Sequence, residues 1–290
     1  DLLAQLQAMG VEHPDSMVLY IRHFMLSGQQ EKAWEQAKRL EEIDGDDFNS
    51  HYWYLRLALN MEDEQIPAET MEEECIKLIE SDQEHPGYWQ LLGDFFCAQK
   101  RLMEGLKALR HCYRLSHREW DSVQDKIVEI AGELSQQMEK DGRNDFEFAD
   151  ICWTAHRYDK VREVLDAIEP PEGKELGWLM MMADSCYELE DYEAAWKYRK
   201  EIWDGCDEEG RVEALYLDMA RDCGLSGRVE EALELYCQTG ERFGESAELY
   251  YLQAKLLSDN ERAAEAMEMC EKALKLEFHL EAFKLRTALL

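Results

Sequence analysis

Basic residues and long apolar runs are scarce in this 290-residue sequence. Lys and Arg number 32 against 64 Asp and Glu, which leaves a formal net charge of −32. Such a chain lacks the basic surface that displaces counterions from nucleic acid or adsorbs to anionic membranes, so we predict neither partner. The longest clean apolar run, 176–183, is far shorter than the ~20 residues of a membrane-spanning helix. The sequence opens on a helical pattern (Leu2, Leu3, Leu6 and Met9) and not on a signal peptide, as expected for a piece of a longer protein.

Residues that favour β-strands are also rare. The chain has 8 valines, 10 isoleucines and 4 threonines, whereas Leu, Ala, Met, Glu, Lys and Gln are abundant. β-Branched side chains suit strands and lose freedom in helices, and the abundant types are helix formers. With only five prolines, the composition predicts an all-α fold.

The nine cysteines lack the spacing of a metal site or of a disulfide framework. No two form a CxxC pair, their number is odd, and they occur singly: Cys75, Cys97, Cys112, Cys152, Cys186, Cys206, Cys223, Cys237 and Cys270. Scattered free thiols beside apolar residues behave as small hydrophobes. We therefore predict nine free cysteines, no structural metal, no cofactor and a cytoplasmic location.

What the sequence does contain is an internal repeat. A small or weakly apolar residue recurs shortly after each predicted turn, at Ala33, Met71, Gly105, Val161, Ala195, Ala232 and Ala266. Their spacings of 38, 34, 56, 34, 37 and 34 residues predict a helix-pair unit of about 34 residues. We expect each small anchor to let the second helix of a unit approach the first closely.

The 56-residue spacing is one unit plus one further helix, predicted from Trp120 to Met138. It divides the chain into N-terminal repeats (1–118), the inserted helix (119–140) and C-terminal repeats (141–290) of one continuous solenoid. Its apolar stripe (Val123, Ile127, Ile130, Leu134) has the 3-4 spacing of a coiled-coil seam. A seam for a partner is one interpretation. We favour the other, in which the helix packs where the repeat phase breaks.

The units resemble tetratricopeptide repeats (TPR). That family places an aromatic residue, Leu–Gly and another aromatic residue on the first helix, and small and aromatic residues on the second. The third unit matches with Trp89, Leu92, Gly93 and Phe96, and the sixth with Tyr216, Ala220, Ala232 and Tyr236. The second and fourth units are degenerate. The resemblance implies a right-handed superhelical α-solenoid of about seven hairpins, whose first helices line a concave groove.

The resemblance also implies which residues face that groove. For the second unit, where the register is uncertain, it gives Trp53, Leu57 and Asn60. Our predicted groove residues in the other units are Arg22, Asp94, Asp150, Trp153, Asp184, Tyr187, Arg221, Tyr251 and Lys255. The charges are basic at both ends and acidic in the middle. The family's clamp for acidic chaperone tails, which uses Lys and Asn at these positions, has no match here.

No catalytic motif is present. The sequence has no GxGxxG, GxxxxGK[ST], HExxH or GxSxG pattern. The Glu72–Glu73–Glu74 run is better read as a solvated helix face, and the eight histidines occur singly. We therefore predict no enzyme, but a scaffold that binds a protein or peptide, basic and partly apolar, in the groove. The alternative is a regulatory or sensory arm of a larger protein that carries a DNA-binding or J-domain-like module.

Overall fold

The computed structural model describes residues 13–61, 66–117, 120–207 and 209–290, and these residues form helices and no strand. The all-α prediction is thus confirmed for them. The pattern that begins at Leu2 lies outside the described residues. The helices are α1 (Pro14–Leu26), α2 (Gln30–Asp44), α3 (Phe48–Ala58), α4 (Ala68–Ser81), α5 (Pro86–Ala98), α6 (Leu102–Leu115), α7 (Asp121–Lys140), α8 (Phe146–Thr154), α9 (Tyr158–Asp166), α10 (Glu175–Glu188), α11 (Tyr192–Gly205), α12 (Glu213–Leu225), α13 (Val229–Phe243), α14 (Ala247–Asp259), α15 (Ala263–Leu276) and α16 (Leu280–Leu289).

The chain forms two compact units, Asp1–Leu134 (unit 1) and Ser135–Leu290 (unit 2), whose boundary falls inside α7. Unit 1 contains the hairpins α1–α2, α3–α4 and α5–α6. Unit 2 contains α8–α9, α10–α11, α12–α13 and α14–α15, followed by α16. The division expected at 118 and 141, the repeat count and the superhelical handedness stay predictions.

Most hairpins turn through one residue in the left-handed region of backbone conformation. The corner residues are Gly28, Lys100, His156, Glu190, Gly227 and Glu261, with φ between 56° and 83°. The residue after each corner donates its N–H to a carbonyl five residues earlier, as Arg101 does to Phe96 at 2.9 Å. This is the Schellman arrangement that satisfies a helix C-terminus. Each corner precedes its small anchor by five residues. Because this distance is constant, the anchors recur with a period that can be recognised in the sequence.

The anchors pack as the sequence predicts. Ala33, Val161, Ala195, Ala232 and Ala266 are fully buried. At the α5–α6 crossing, a Cβ placed on Gly93 would lie 2.7 Å from Cγ of Leu109 and 3.3 Å from the carbonyl oxygen of Gly105. Only glycine leaves room for that backbone approach.

The helix predicted to be inserted is present as α7. Its apolar stripe is buried, from Val123 (1% exposed) through Ile127, Ile130 and Leu134 to Met138 (6%). A stripe already covered by the protein is not available to a coiled-coil partner. The packing interpretation of this helix therefore fits the structure.

Candidate functional site

The buried thiols are poorly suited to nucleophilic chemistry. All nine cysteines are free, and six of them are buried. Burial raises the pKa of Cys75 to about 12 and the pKa of Cys112, Cys152 and Cys223 to about 11, so these thiols stay protonated near neutral pH. Among the described residues no cluster of three His, Cys, Asp or Glu side chains could hold a metal ion.

None of the described helices combines the length and the apolar character needed to cross a bilayer.

An open concavity lies in unit 2, between the first helices of successive hairpins. We call it the C-terminal groove, and its volume is about 430 Å³. It is lined by Tyr187 of α10, by Ala214, Leu217, Asp218, Ala220, Arg221, Gly224 and Leu225 of α12, by Tyr236 of α13, and by Leu252, Lys255, Leu256, Asp259 and Asn260 at α14. The first helices expose this surface because their opposite faces pack into the hairpins.

The C-terminal groove has an apolar floor and a charged rim. Leu217, Leu252 and Leu256 are half-buried, so their side chains keep surface that a ligand could cover. A Cβ on Gly224 would lie 2.6 Å from Cδ1 of Leu256. The missing side chain at position 224 is therefore what lets the leucine of α14 lie against α12.

Arg221 is already engaged at the rim. Its Nη2 lies 2.7 Å from Oδ1 of Asp218, and its guanidinium stacks 4.2 Å from the ring centroid of Tyr187. Lys255 and Asp259 lie on the neighbouring helix and are exposed. The rim thus carries two cations and two carboxylates, and only the predicted residues Tyr187, Arg221 and Lys255 meet there.

Behind the rim, one buried arginine lies close to three aspartates. The Arg199 side chain of α11 is 5% exposed, and it donates to Asp184 at 2.9 Å and to the fully buried Asp222. Its Nε also lies 3.8 Å from Oδ2 of Asp218. Oδ1 of Asp222 has no hydrogen-bond partner in the described chain.

Two carboxylates in this cluster, Asp222 and Asp184, bind protons more tightly than usual. Burial raises the pKa of Asp222 to about 6, against the opposing effect of Arg199. The pKa of Asp184 is also raised by burial, while Arg199 and a hydrogen bond with Trp153 lower it. Burial prevails because a single guanidinium charge is divided among three carboxylates.

The predicted groove acid Asp184 is therefore an internal ion-pair partner. Trp153 forms a hydrogen bond with it, and the Tyr187 ring lies 5.8 Å from the Arg199 guanidinium. The negative charge of Asp184 is largely compensated by Arg199. Asp184 therefore adds little to the negative potential expected in the groove. Asp150 is half-buried on α8 and does not line the C-terminal groove.

Asp94 belongs to a second concavity, within unit 1. We call this space of about 320 Å³ the N-terminal cavity; it is lined by Met25, Arg56, Leu59, Asn60, Leu91, Asp94, Cys97, Ala98 and Lys126. Nζ of Lys126, on α7, lies 2.6 Å from Oδ1 of Asp94. The inserted helix thus neutralises the carboxylate that was expected to attract a basic partner.

Two other predicted residues have different surroundings. Arg22 is exposed on α1 and lies outside the N-terminal cavity. Tyr251 packs beside the start of α16, with its ring 5.0 Å from that of His279. Neither lines a concavity described above.

Sequence reasoning missed two residues that organise these sites. Arg199 lies one turn after the anchor Ala195, on the buried face of a second helix. A charged residue at such a position implies a buried partner of opposite charge, and this was the only signal in the sequence. In the degenerate second unit the expected Leu57 is 4% exposed and belongs to the core. Arg56, Leu59 and the predicted Asn60 line the cavity, so the prediction is wrong for Leu57, whose place is taken by its neighbour Arg56.

No protein-family model and no curated protein matches the sequence. Solved structures with a similar fold include a tetratricopeptide repeat protein from Parabacteroides merdae, at 12% identity over 95% of this chain and 98% of that one, with a TM-score of 0.40. YrrB, a TPR protein with an unusual peptide-binding site, is 16% identical over 74% of this chain and 99% of its own, with a TM-score of 0.39. Yeast Tom70 is 15% identical over 99% of this chain and 57% of its own, with a TM-score of 0.43.

At these values the likenesses imply nothing about what this chain binds. The fold assignment rests on the hairpins, corners and buried anchors described above, which are those of a TPR-like helical repeat.

Proposed function

We propose that this chain is a non-enzymatic interaction scaffold that binds a protein or peptide segment in the C-terminal groove. The observation that carries the proposal is the groove itself: about 430 Å³ of open space over half-buried leucines, bordered by charged side chains. Buried apolar anchors supply most of the energy of such interfaces, and rim charges set rate and orientation. We expect one large apolar side chain of the partner to lie over Leu217 and Leu256.

A basic segment is the partner we propose for this groove. The support is the net charge of −32, which attracts cationic segments over long range at low ionic strength. At the rim, Asp259 is the carboxylate that such a segment can meet, since Asp218 is engaged by Arg221. Arg221 and Lys255 would orient the segment by disfavouring its basic residues at their own positions.

A displayed peptide library tests the site and the charge preference separately. Peptides selected on the wild-type protein are titrated against Leu217→Glu, which places a charge on the groove floor. The matched control is Leu276→Glu, because Leu276 is exposed at the end of α15 and outside the groove. We expect about tenfold weaker binding or worse for the first variant and wild-type affinity for the control.

Equal affinity of the selected peptides for wild type and Leu217→Glu would show that the groove is not the site. The charge preference has its own outcome. Selected peptides should be rich in Lys and Arg, and their affinity should fall as salt is added. Enrichment in acidic peptides would contradict the basic preference while leaving the groove in place.

A further inference from the structure

The N-terminal cavity contains an arginine that the protein holds without neutralising. Nη1 of Arg56 donates to the hydroxyl of Tyr52 at 2.8 Å and to Oε1 of Gln90 at 3.1 Å. Both acceptors are neutral, and the Tyr52 ring is itself buried. Within the described chain, Arg56 forms no ion pair, and its Nε and Nη2 donate to no protein group.

This arrangement leaves one edge of the guanidinium available. Nε–H and Nη2–H form the fork that matches the two oxygens of a carboxylate. The two hydrogen bonds on Nη1 fix the side chain, so little rotamer freedom remains to be lost when a ligand binds. Arg56 lines the cavity, and burying its charge there without an anion would be costly.

The charges around the cavity sum to one positive unit. Lys126 and Asp94 form an ion pair at 2.6 Å and cancel each other, which leaves Arg56. This local excess stands out in a protein of net charge −32. A monoanion would balance it, whereas a phosphomonoester dianion would bring surplus negative charge close to Asp94.

The rest of the lining defines what carries the anion. Met25 and Leu59 supply apolar surface above the buried Leu91. The side-chain amide of Asn60 is fixed by donating to the Arg56 carbonyl at 3.0 Å. Its Oδ1 remains an acceptor at the edge of the cavity. A volume of about 320 Å³ lies at the small end of ligand sites, which hold small organic molecules.

We infer that the N-terminal cavity is a binding site for a carboxylate borne on a small apolar body, with Arg56 as its anion-binding residue. The carboxylate we propose is that of a free organic acid, because the volume suits a small organic molecule; the end of a polypeptide is the alternative source that the experiment distinguishes. The site lies in unit 1, goes beyond the proposed function and does not depend on it.

Calorimetric titration of the full chain with four probes tests this inference. The first pair is 4-phenylbutyrate and its uncharged amide. The second is a short peptide ending in leucine, with its terminus either free or amidated. We expect 4-phenylbutyrate to bind about tenfold more tightly than its amide, because hydrogen bonds to a charged group are the strong ones. Which pair shows this difference identifies the source of the carboxylate.

Variants assign the binding to the cavity. Arg56→Gln should weaken the acid about tenfold or more and leave the amide unchanged. Arg39→Gln is the matched control, since Arg39 is exposed on α2 and outside the cavity, and it should bind as wild type. If Arg56→Gln fails to fold, Lys126→Gln removes one positive charge without touching the Tyr52 and Gln90 contacts, and it should weaken the acid as well.

Three results would overturn the inference. They are the absence of binding by either acid at millimolar concentration, equal binding of acid and amide in both pairs, and undiminished acid binding by a folded Arg56→Gln protein. None of them bears on the C-terminal groove, whose test uses other residues and other probes.

Discussion

Asp222 is the residue at which this protein should be most sensitive to pH. Its carboxylate is fully buried beside Arg199, Asp184 and Asp218, and its pKa is raised to about 6. In the unfolded chain an aspartate titrates near 3.9. The folded state therefore binds the proton more tightly, and ionised Asp222 lowers stability above pH ~6. That loss is recovered as the pH falls from ~6 towards ~4.

Asp222→Asn removes this titration. When the pH is lowered from 7 to 5, the free energy of unfolding of the wild type minus that of the variant should increase by about 1–2 kcal/mol. Urea unfolding at both pH values measures the difference. Asp204→Asn, at a largely exposed position, is the control and should follow wild type. Parallel profiles for wild type and Asp222→Asn would show that Asp222 is ionised normally.

The corner residue Glu190 offers a second test at this scale. With φ of 62° it occupies the left-handed region, which costs a residue with a Cβ about 1 kcal/mol. Glu190→Gly should therefore raise the free energy of unfolding by about 0.5–1 kcal/mol. Glu201→Gly, at an exposed position inside α11, should lower it by a similar amount. Two losses of stability would mean that the corner is not left-handed in solution.

Residue identity explains which of these features the sequence revealed. Ala195 and Gly93 could be predicted as packing positions because small size has few other uses at that place in a repeat. Arg199 and Asp222 could not be assigned, since a charged residue in a chain with 96 charged side chains carries no mark of burial. The corners occupied by Lys, His or Glu could not be predicted either, because glycine is the only residue type that indicates a positive φ.

At the scale of the element, the α5–α6 crossing depends on two glycines, Gly93 and Gly105. A Cβ on Gly93 would contact Leu109 at 2.7 Å, whereas a Cβ on Gly132 in α7 meets nothing within 4 Å. Gly93→Ala should therefore lower the free energy of unfolding by about 1–3 kcal/mol through overpacking. Gly132→Ala, the matched control, should raise it by about 0.5–1 kcal/mol. Similar effects of the two substitutions in thermal or urea unfolding would contradict the crossing geometry.

Ala195→Leu makes the same test in unit 2. Ala195 is fully buried in α11, and the added volume should cost about 1–3 kcal/mol. An unchanged melting temperature would show that the anchor does not face its partner helix.

The inserted helix shows how far periodicity reaches at this scale. Its apolar spacing located α7 to within two residues, because the stripe repeats over five turns. The same reasoning missed Lys126 as the partner of Asp94, since nothing in the local sequence says which groove a polar face will meet. In the second unit only a weak anchor, Met71, was available, and the prediction was wrong at Leu57, where the neighbouring Arg56 lines the cavity.

For the whole molecule, the surplus of acidic residues should govern the response to salt. Most ion pairs are partly exposed and contribute little, as with Arg262 and Glu230. Repulsion among the excess carboxylates acts over longer distances and is screened by salt. We expect the melting temperature to rise by several degrees between low salt and half-molar sodium chloride. A fall would mean that the ion pairs outweigh the repulsion. Sucrose at equal osmolality controls for nonspecific stabilisation.

The fixed distance between corner and anchor has a consequence for how such a chain tolerates change in length. Glu190 precedes Ala195 by five residues, and each residue added between them would rotate the anchor by about 100° around α11. A single insertion there would replace a small buried contact with a neighbouring large or charged side chain. The exposed segment 169–174 between α9 and α10 has no such constraint. Insertions and deletions should therefore accumulate between hairpins and be rejected within them.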